Sequence, residues 1–87
     1  MLLECVPNPL AEEVVSRLQI PVIGIGAGPS CDGQVLVVYD MLGITAGKPP
    51  RFVKNFLADH GDVQQAVAAY VASVRNGTFP APEHCFN

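Results

Sequence analysis

This 87-residue sequence has no tryptophan and few charged residues, which form 15% of the chain against 49% hydrophobic residues. So low a charged fraction is unusual for a small independent domain, whose large surface needs polar cover. It is typical of strands that neighbours bury on both faces. The composition therefore predicts that the chain is a piece of a larger protein or an obligate member of an assembly.

Other absences disfavour whole classes of function. The net charge is −3, from eight acidic and five basic residues with no basic stripe, which disfavours a nucleic-acid partner. No apolar run approaches the ~20 residues that span a bilayer. The amino terminus lacks the pattern of a signal peptide. Three cysteines without CxxC spacing predict neither a disulfide framework nor a zinc site, and indicate a reduced, cytoplasmic setting.

Apolar periodicity predicts alternating strands and helices. The expected elements are a strand at 2–6, a helix at 9–19, a strand from 20, a strand at 34–40, a helix from 50 to 61 and a helix at 63–75. Asn8 and Asp62 are positioned to cap the first and last helices. The predicted apolar faces are Leu10, Val14 and Leu18, then Phe52, Val53, Phe56 and Leu57, then Val63, Ala66, Val67, Tyr70, Val71 and Val74.

Continuous apolar strands separated by helices indicate an α/β fold with parallel strands. Three such strands cannot complete an α/β sheet without partners. We therefore interpret residues 1–87 as the carboxyl-terminal part of one (β/α)8 barrel domain, about its last three strands and their helices. In such barrels the functional groups lie at the carboxyl ends of the strands.

Glu4, the Gly24–Gly28 loop and Asp40 all follow predicted strands, so we expect them on one rim. Glu4 ends an apolar strand, where it is either a structural carboxylate with a partner or a general base tuned by its surroundings. Asp40 is read as an anchor for the following loop, with a metal-ligand role as the alternative. Asp32, before Gly33, is expected to bond its local backbone in a turn.

The Gly24-x-Gly26-x-Gly28 run superficially resembles a dinucleotide-binding loop. It lacks the G-x-G-x-x-G spacing and a helix after the last glycine. We favour a glycine-lined strand end that a substrate or another loop can approach closely. The remaining candidate side chains are given structural roles, with Cys5 and Cys31 as small apolar fillers and His84 with Cys85 as docking residues rather than metal ligands.

Six segments, in order and at matching separations, resemble ketopantoate hydroxymethyltransferases. They are Leu3–Pro7, Ile20–Gly28, Cys31–Val37, Asp40–Gly43, Phe52–Lys54 and Phe79–His84. Two local departures are Tyr39, where the family commonly has histidine, and Cys85, where it commonly has serine. The resemblance covers nearly the whole chain, and the ordered set is more specific than any single motif.

This resemblance implies a (β/α)8 barrel that transfers a hydroxymethyl group from 5,10-methylenetetrahydrofolate to 3-methyl-2-oxobutanoate, giving 2-dehydropantoate. It implies Mg²⁺ as the metal that holds the 2-oxo acid. The family's proton-accepting glutamate falls on Glu4, within Glu4–Pro7. The family's metal ligands would lie on earlier strands, so no metal ligand is assigned to this chain, and no cofactor-binding residue is assigned either.

The resemblance further implies that the isolated chain is inactive and that its partners are the 2-oxo acid and either copies of itself in a homo-oligomer or a complementing amino-terminal chain. Two other hypotheses stay open. The chain could be a non-catalytic assembly module that completes a split barrel, or a small nucleotide-binding domain that uses Gly24–Gly28.

Overall fold

The computed structural model describes residues 1–87 and confirms an α/β fold with a parallel sheet. Three strands are present, β1 (Leu2–Glu4), β2 (Ile23–Ile25) and β3 (Gly33–Gln34). The helices are α1 (Asn8–Arg17), α2 (Val38–Met41) and α3 (Val63–Asn76), followed by a short 3-10 helix at Pro82–His84. None of these helices is both long enough and apolar enough to cross a membrane.

The sheet has the order β1-β2-β3, and all its pairs are parallel. Leu3 pairs with Gly24, and Gly24 pairs with Gln34 on its other side. Helix α1 forms the crossover from β1 to β2, as expected for a parallel pair. Strands β1 and β3 each have one edge that no strand of this chain occupies.

The chain returns from β2 to β3 through residues 26–32 without a helix. Asp32 anchors this return at the start of β2, where its Oδ2 accepts the Val22 N–H at 2.8 Å and its own N–H donates to the Val22 carbonyl at 2.8 Å. The prediction that the Asp32 side chain bonds its local backbone was therefore wrong. The side chain joins two segments ten residues apart because the parallel register places them side by side.

The strand expected at 34–40 is much shorter than predicted. Regular pairing stops at Gln34, and α2 begins at Val38, so Asp40 lies in a helix and not at a strand end. Val35 and Val37 are exposed at the sheet edge. No strand lies outside this segment to accept its hydrogen bonds, and the Met41 N–H bonds the Val37 carbonyl in a helical turn instead.

The helix predicted from 50 to 61 does not form, although its apolar face was identified correctly. Phe52 and Phe56 are buried in the core, and the segment runs through turns. The Phe56 N–H donates to the distant Met41 carbonyl, and Asn55 Oδ1 accepts the Ala58 N–H. These bonds replace the i to i−4 ladder, since asparagine side chains compete with helical hydrogen bonding.

The first helix is confirmed with shifted details. Asn8 is its first residue and not its cap, and no side chain caps its start. Ala11 is fully buried, while Leu10 is 52% exposed, so the predicted stripe was wrong at Leu10.

Helix α3 begins and ends as predicted. The Asp62 side chain accepts the Gln65 N–H at 2.7 Å, and Gly77 ends the helix in the left-handed conformation. On its predicted face Ala66 is buried and Tyr70 packs against the core, whereas Val63, Val67 and Val71 are exposed.

The main core lies between β2, α2, α3 and the carboxyl-terminal tail. It contains Ile25, Leu36, Met41, Phe52, Phe56, Ala66 and Phe79. The Phe56 ring meets those of Tyr70 and Phe79 edge to face, at 5.5 and 5.3 Å between centroids. Edge-to-face pairs stabilise a core beyond the area they bury, so these three rings hold α3, the tail and the segment that carries Phe56 together.

Candidate functional site

Glu4 ends β1 beside the glycine loop, as the sequence predicts. It pairs with Ile25, the Cys5 N–H donates to the Ile25 carbonyl at 2.9 Å, and the Val6 N–H donates to the Gly26 carbonyl at 3.2 Å. Paired residues of parallel strands project to the same face of the sheet, so the side chains of Glu4 and Ile25 lie on the same face. The Glu4 side chain is exposed there, at the carboxyl ends of two adjacent strands.

The residue after Glu4 has an unusual backbone. Cys5 has φ of 54°, the left-handed region that side chains other than glycine, asparagine and aspartate seldom adopt. Cys5 is also exposed, so its predicted role as an apolar filler was wrong. Strained residues of this kind concentrate at functional sites. Here the strain turns the chain immediately after the carboxylate and directs it into α1.

Each glycine of the loop meets a different segment of the chain. A Cβ on Gly24 would lie 2.8 Å from Sγ of Cys31, and one on Gly26 would lie 2.9 Å from the Phe52 ring. A Cβ on Gly28 would collide with the Asn8 side chain. The loop therefore accommodates close approach by other parts of this chain. The sequence suggested close approach either by a substrate or by another loop, and the structure shows the second.

A dinucleotide site is disfavoured by the same geometry. Residues 29–32 form turns after Gly28, so the loop does not lead into a helix whose amino terminus could receive a pyrophosphate. The backbone at Gly24, Gly26 and Gly28 is already covered by Cys31, Phe52 and Asn8.

Cys31 is not suited to nucleophilic chemistry. Burial raises the pKa of its thiol, and the neighbouring Asp32 carboxylate raises it further. The thiolate is the reactive form of cysteine, so both effects keep Cys31 unreactive. Its position against Gly24 agrees with the predicted packing role.

Asp40 does not lie at the end of a strand. It lies in α2, and its Oδ1 accepts a hydrogen bond from the Thr45 hydroxyl. This contact ties the loop after α2 to the helix, so Asp40 anchors that loop, which was the favoured interpretation. Its placement on a shared strand-end rim was wrong because the third strand stops at Gln34.

A cavity of about 400 Å³ was not predicted from the sequence. Asn8 and Pro29 form the side nearest the strand ends, and Pro82 and Cys85 of the tail form part of the other. The Oδ1 atom of Asn8 is buried without a hydrogen-bond partner. Sequence reasoning assigned Asn8 to helix capping and missed this cavity, since no local pattern indicates that the tail returns to the start of α1.

No group of three or more His, Cys, Asp and Glu side chains in this chain could hold a metal ion. The residues present therefore do not form a magnesium site by themselves. The predicted docking role of His84 and Cys85 agrees with the structure, since the His84 ring lies against the buried Phe79 ring and Cys85 is itself buried.

Known proteins match nearly the whole length of this chain. The sequence profile of the family described as ketopantoate hydroxymethyltransferase matches residues 1–82. A 3-methyl-2-oxobutanoate hydroxymethyltransferase of Aeromonas hydrophila is 60% identical over 87 residues, which are 100% of this chain and 33% of the relative. A protein of that name from Alcanivorax borkumensis is 60% identical over 84 residues, 97% of this chain and 32% of the relative.

A third relative with that name, from Tolumonas auensis, is 60% identical over 87 residues, which are 33% of its length. The chain thus spans about a third of the length of the curated relatives it matches. The profile match and the ordered motifs agree, and the chain belongs to the ketopantoate hydroxymethyltransferase family.

Proposed function

We propose that this chain contributes the proton acceptor, Glu4, to a 3-methyl-2-oxobutanoate hydroxymethyltransferase. The reaction adds the methylene carbon of 5,10-methylenetetrahydrofolate and the oxygen of a water molecule to 3-methyl-2-oxobutanoate as a hydroxymethyl group, and gives 2-dehydropantoate and tetrahydrofolate. The observation that carries the proposal is the family match across residues 1–82, together with Glu4 at the end of β1 beside the glycine loop.

In this proposal the Glu4 carboxylate accepts the proton from the carbon next to the carbonyl of the 2-oxo acid. Loss of that proton leaves a carbon nucleophile that can form the new carbon–carbon bond. A general base must be held within hydrogen-bond reach of the proton that it removes. The pairing of Glu4 with Ile25 and the strained turn at Cys5 support such fixed positioning.

We further propose that residues 1–87 form the carboxyl-terminal part of a single (β/α)8 barrel domain. Support comes from the unoccupied edges of β1 and β3, from exposed Leu2 at 61% and Val37 at 48%, and from relatives three times as long. Mg²⁺, which stabilises the developing enolate when bound, would take its ligands from the other part of the barrel.

The proposed partners are the 2-oxo acid and an amino-terminal chain that completes the barrel, with further assembly into a homo-oligomer. The unpaired edges of β1 and β3 favour association with further strands. All three cysteines are free, which supports a reduced, cytoplasmic setting.

The test is complementation. The 87-residue chain is assayed for 2-dehydropantoate formation alone, and then with the amino-terminal two-thirds of the Aeromonas hydrophila relative, which ends before the matched region. We expect no turnover from either part alone and measurable turnover from the mixture. Glu4→Gln should lower the turnover of the mixture by about 10²–10⁴-fold, the usual contribution of a positioned base.

The matched control is Glu13→Gln, which removes a carboxylate that pairs only with Arg17 on the exposed side of α1. It should leave turnover within about twofold, since exposed ion pairs contribute little. A mixture that turns over equally well with the Glu4→Gln variant would contradict the proposed role of Glu4. It would favour the alternative of an assembly module, which needs the strands of this chain but not its carboxylate.

A further inference from the structure

A turn within the carboxyl-terminal tail is closed by a bond that only neutral histidine can make. The Ala81 N–H donates to Nδ1 of His84 at 3.1 Å. Nδ1 must therefore carry a lone pair, which places the ring proton on Nε2. When His84 takes up a proton from solvent, the proton goes to Nδ1, and the Ala81 N–H then faces a second donor.

The surroundings of His84 oppose its charged form. Its side chain is only 13% exposed, and its ring lies against the ring of Phe79, with 5.1 Å between centroids. Burial is the main effect and lowers the pKa of His84; Glu83 raises the pKa in part, and the smaller effect of Lys54 lowers it. Glu83 Oε1 lies 4.0 Å from Nδ1 and its side chain is 72% exposed, so water screens its effect.

The other groups packed nearby do not compensate for a charge on His84. Tyr70 of α3 packs against Phe79, and burial raises the pKa of its phenol, so it is neutral throughout the range in which histidine titrates. Lys54 lies over the Phe56 ring with 4.9 Å between Nζ and the centroid, so its cation is held on this side of the core. A protonated His84 would thus lie near the Lys54 cation, with no buried anion to stabilise its charge.

The bond is connected to the start of α1. The turn that contains His84 is closed by the His84 N–H to the Ala81 carbonyl at 2.9 Å and the Cys85 N–H to the Pro82 carbonyl at 3.1 Å. Two residues after His84, the Phe86 carbonyl accepts the Asn8 N–H at 2.9 Å. That bond satisfies a free donor at the beginning of α1, four residues after Glu4.

We propose that His84 is a pH-sensitive latch, in which protonation of Nδ1 breaks its bond to Ala81, opens the turn at Pro82–His84 and thereby breaks the bond between the Phe86 carbonyl and the start of α1. The latch goes beyond the proposed chemistry and does not depend on it. Its release removes the tail's side of the 400 Å³ cavity that Asn8 and Pro29 line. The opening of that cavity is therefore controlled by the charge on one side chain.

The direction of the effect follows from linkage. The folded-state pKa of His84 lies below its unfolded value, so the unfolded or released tail binds the proton more strongly. The stability that the latch contributes is complete above the unfolded pKa of about 6.5. It is lost as the pH falls through the lower folded-state pKa.

The test is an NMR titration of the ¹⁵N-labelled 87-residue chain from about pH 8 to pH 5, a range that spans histidine protonation. Hydrogen exchange is followed at the Ala81 and Asn8 amides, and ring protons report the charge on His84. We expect both amides to lose protection together, by about tenfold or more, at the midpoint of the His84 titration. The same titration is repeated on the chain bound to the amino-terminal part of its relative.

Two variants isolate the latch. His84→Asn retains an acceptor near the position of Nδ1 and does not titrate, so both amides should stay protected at low pH. His60→Asn removes the only other histidine and should behave as the wild type. The proposal is overturned if the amides of His84→Asn lose protection at the wild-type midpoint. It is also overturned if His84 becomes charged while both amides stay protected.

Discussion

Single residues show their function most clearly in the glycine loop. Gly24, Gly26 and Gly28 face Cys31, Phe52 and Asn8, which come from three different parts of the chain. The sequence indicated close approach at this loop but not what would approach. Each of these side chains is between 7 and 26 residues away in sequence from the glycine that it contacts. Cys31 and Phe52 follow their glycines, whereas Asn8 precedes Gly28. Such contacts depend on the path of the folded chain.

Substitution of Gly28 tests this loop. Gly28→Ala combines an unfavourable positive φ of 81° with a collision against the Asn8 side chain. Gly47→Ala has nearly the same φ, 79°, and no atom within 4 Å of the new Cβ. The left-handed conformation alone costs roughly 1–2 kcal/mol. We expect Gly28→Ala to lower the free energy of unfolding by at least about 1 kcal/mol more than Gly47→Ala, measured by urea denaturation. Equal losses would show that Asn8 moves aside freely.

At the scale of elements, the best predictions were those with strong local signals. Helix α3 begins at its Asp62 cap and ends at Gly77 as expected, because capping and a left-handed glycine are local chemistry. The predicted helix at 50–61 failed because its N–H groups found partners elsewhere, such as the Met41 carbonyl for Phe56. The strand at 34–40 was shortened because no strand of this chain pairs with its outer edge.

The cap of α3 can be tested directly. Asp62→Ala removes the acceptor of the Gln65 N–H and should destabilise the chain by about 1 kcal/mol. Asp62→Asn, which keeps an acceptor, should recover most of that loss. Asp59→Ala, at an exposed aspartate three residues earlier, serves as the control and should change stability by less than about 0.5 kcal/mol. Thermal unfolding followed by circular dichroism gives the comparison. A cap that contributes nothing would make Asp62→Ala indistinguishable from Asp59→Ala.

At the scale of the whole molecule, much apolar surface stays uncovered. Val63, Val67 and Val71 recur every four residues on α3 and are 51%, 39% and 38% exposed. They continue the predicted apolar face, of which Ala66 and Tyr70 are covered by this chain. The sequence identified the face correctly, and the structure shows that one chain covers only part of it. The remainder is suited to a helix of the amino-terminal part of the proposed barrel.

A charged side chain among Val63, Val67 and Val71 should block assembly without lowering the stability of the isolated chain. Val67→Lys changes an exposed side chain, so the chain's own stability should shift by less than about 0.5 kcal/mol. Covering the lysine in the complex costs several kcal/mol, which weakens binding to the amino-terminal part by about 30-fold or more. Gln64→Lys, on the exposed polar side, should bind normally. Titration calorimetry measures both, and equal affinities would place the partner on another surface.

The sequence by itself determined the α/β class, the parallel strands, the caps of α3, the core positions of Phe52 and Phe56 and the family, because each is encoded in local periodicity or in an ordered set of motifs. Only the tertiary structure decided that Asp40 sits in a helix, that Asp32 holds the start of β2, and that the Phe86 carbonyl joins the tail to the start of α1. These outcomes depend on which hydrogen-bonding groups and side chains come into contact once the chain has folded. The residues adjacent in sequence to a given position do not predict such long-range partners.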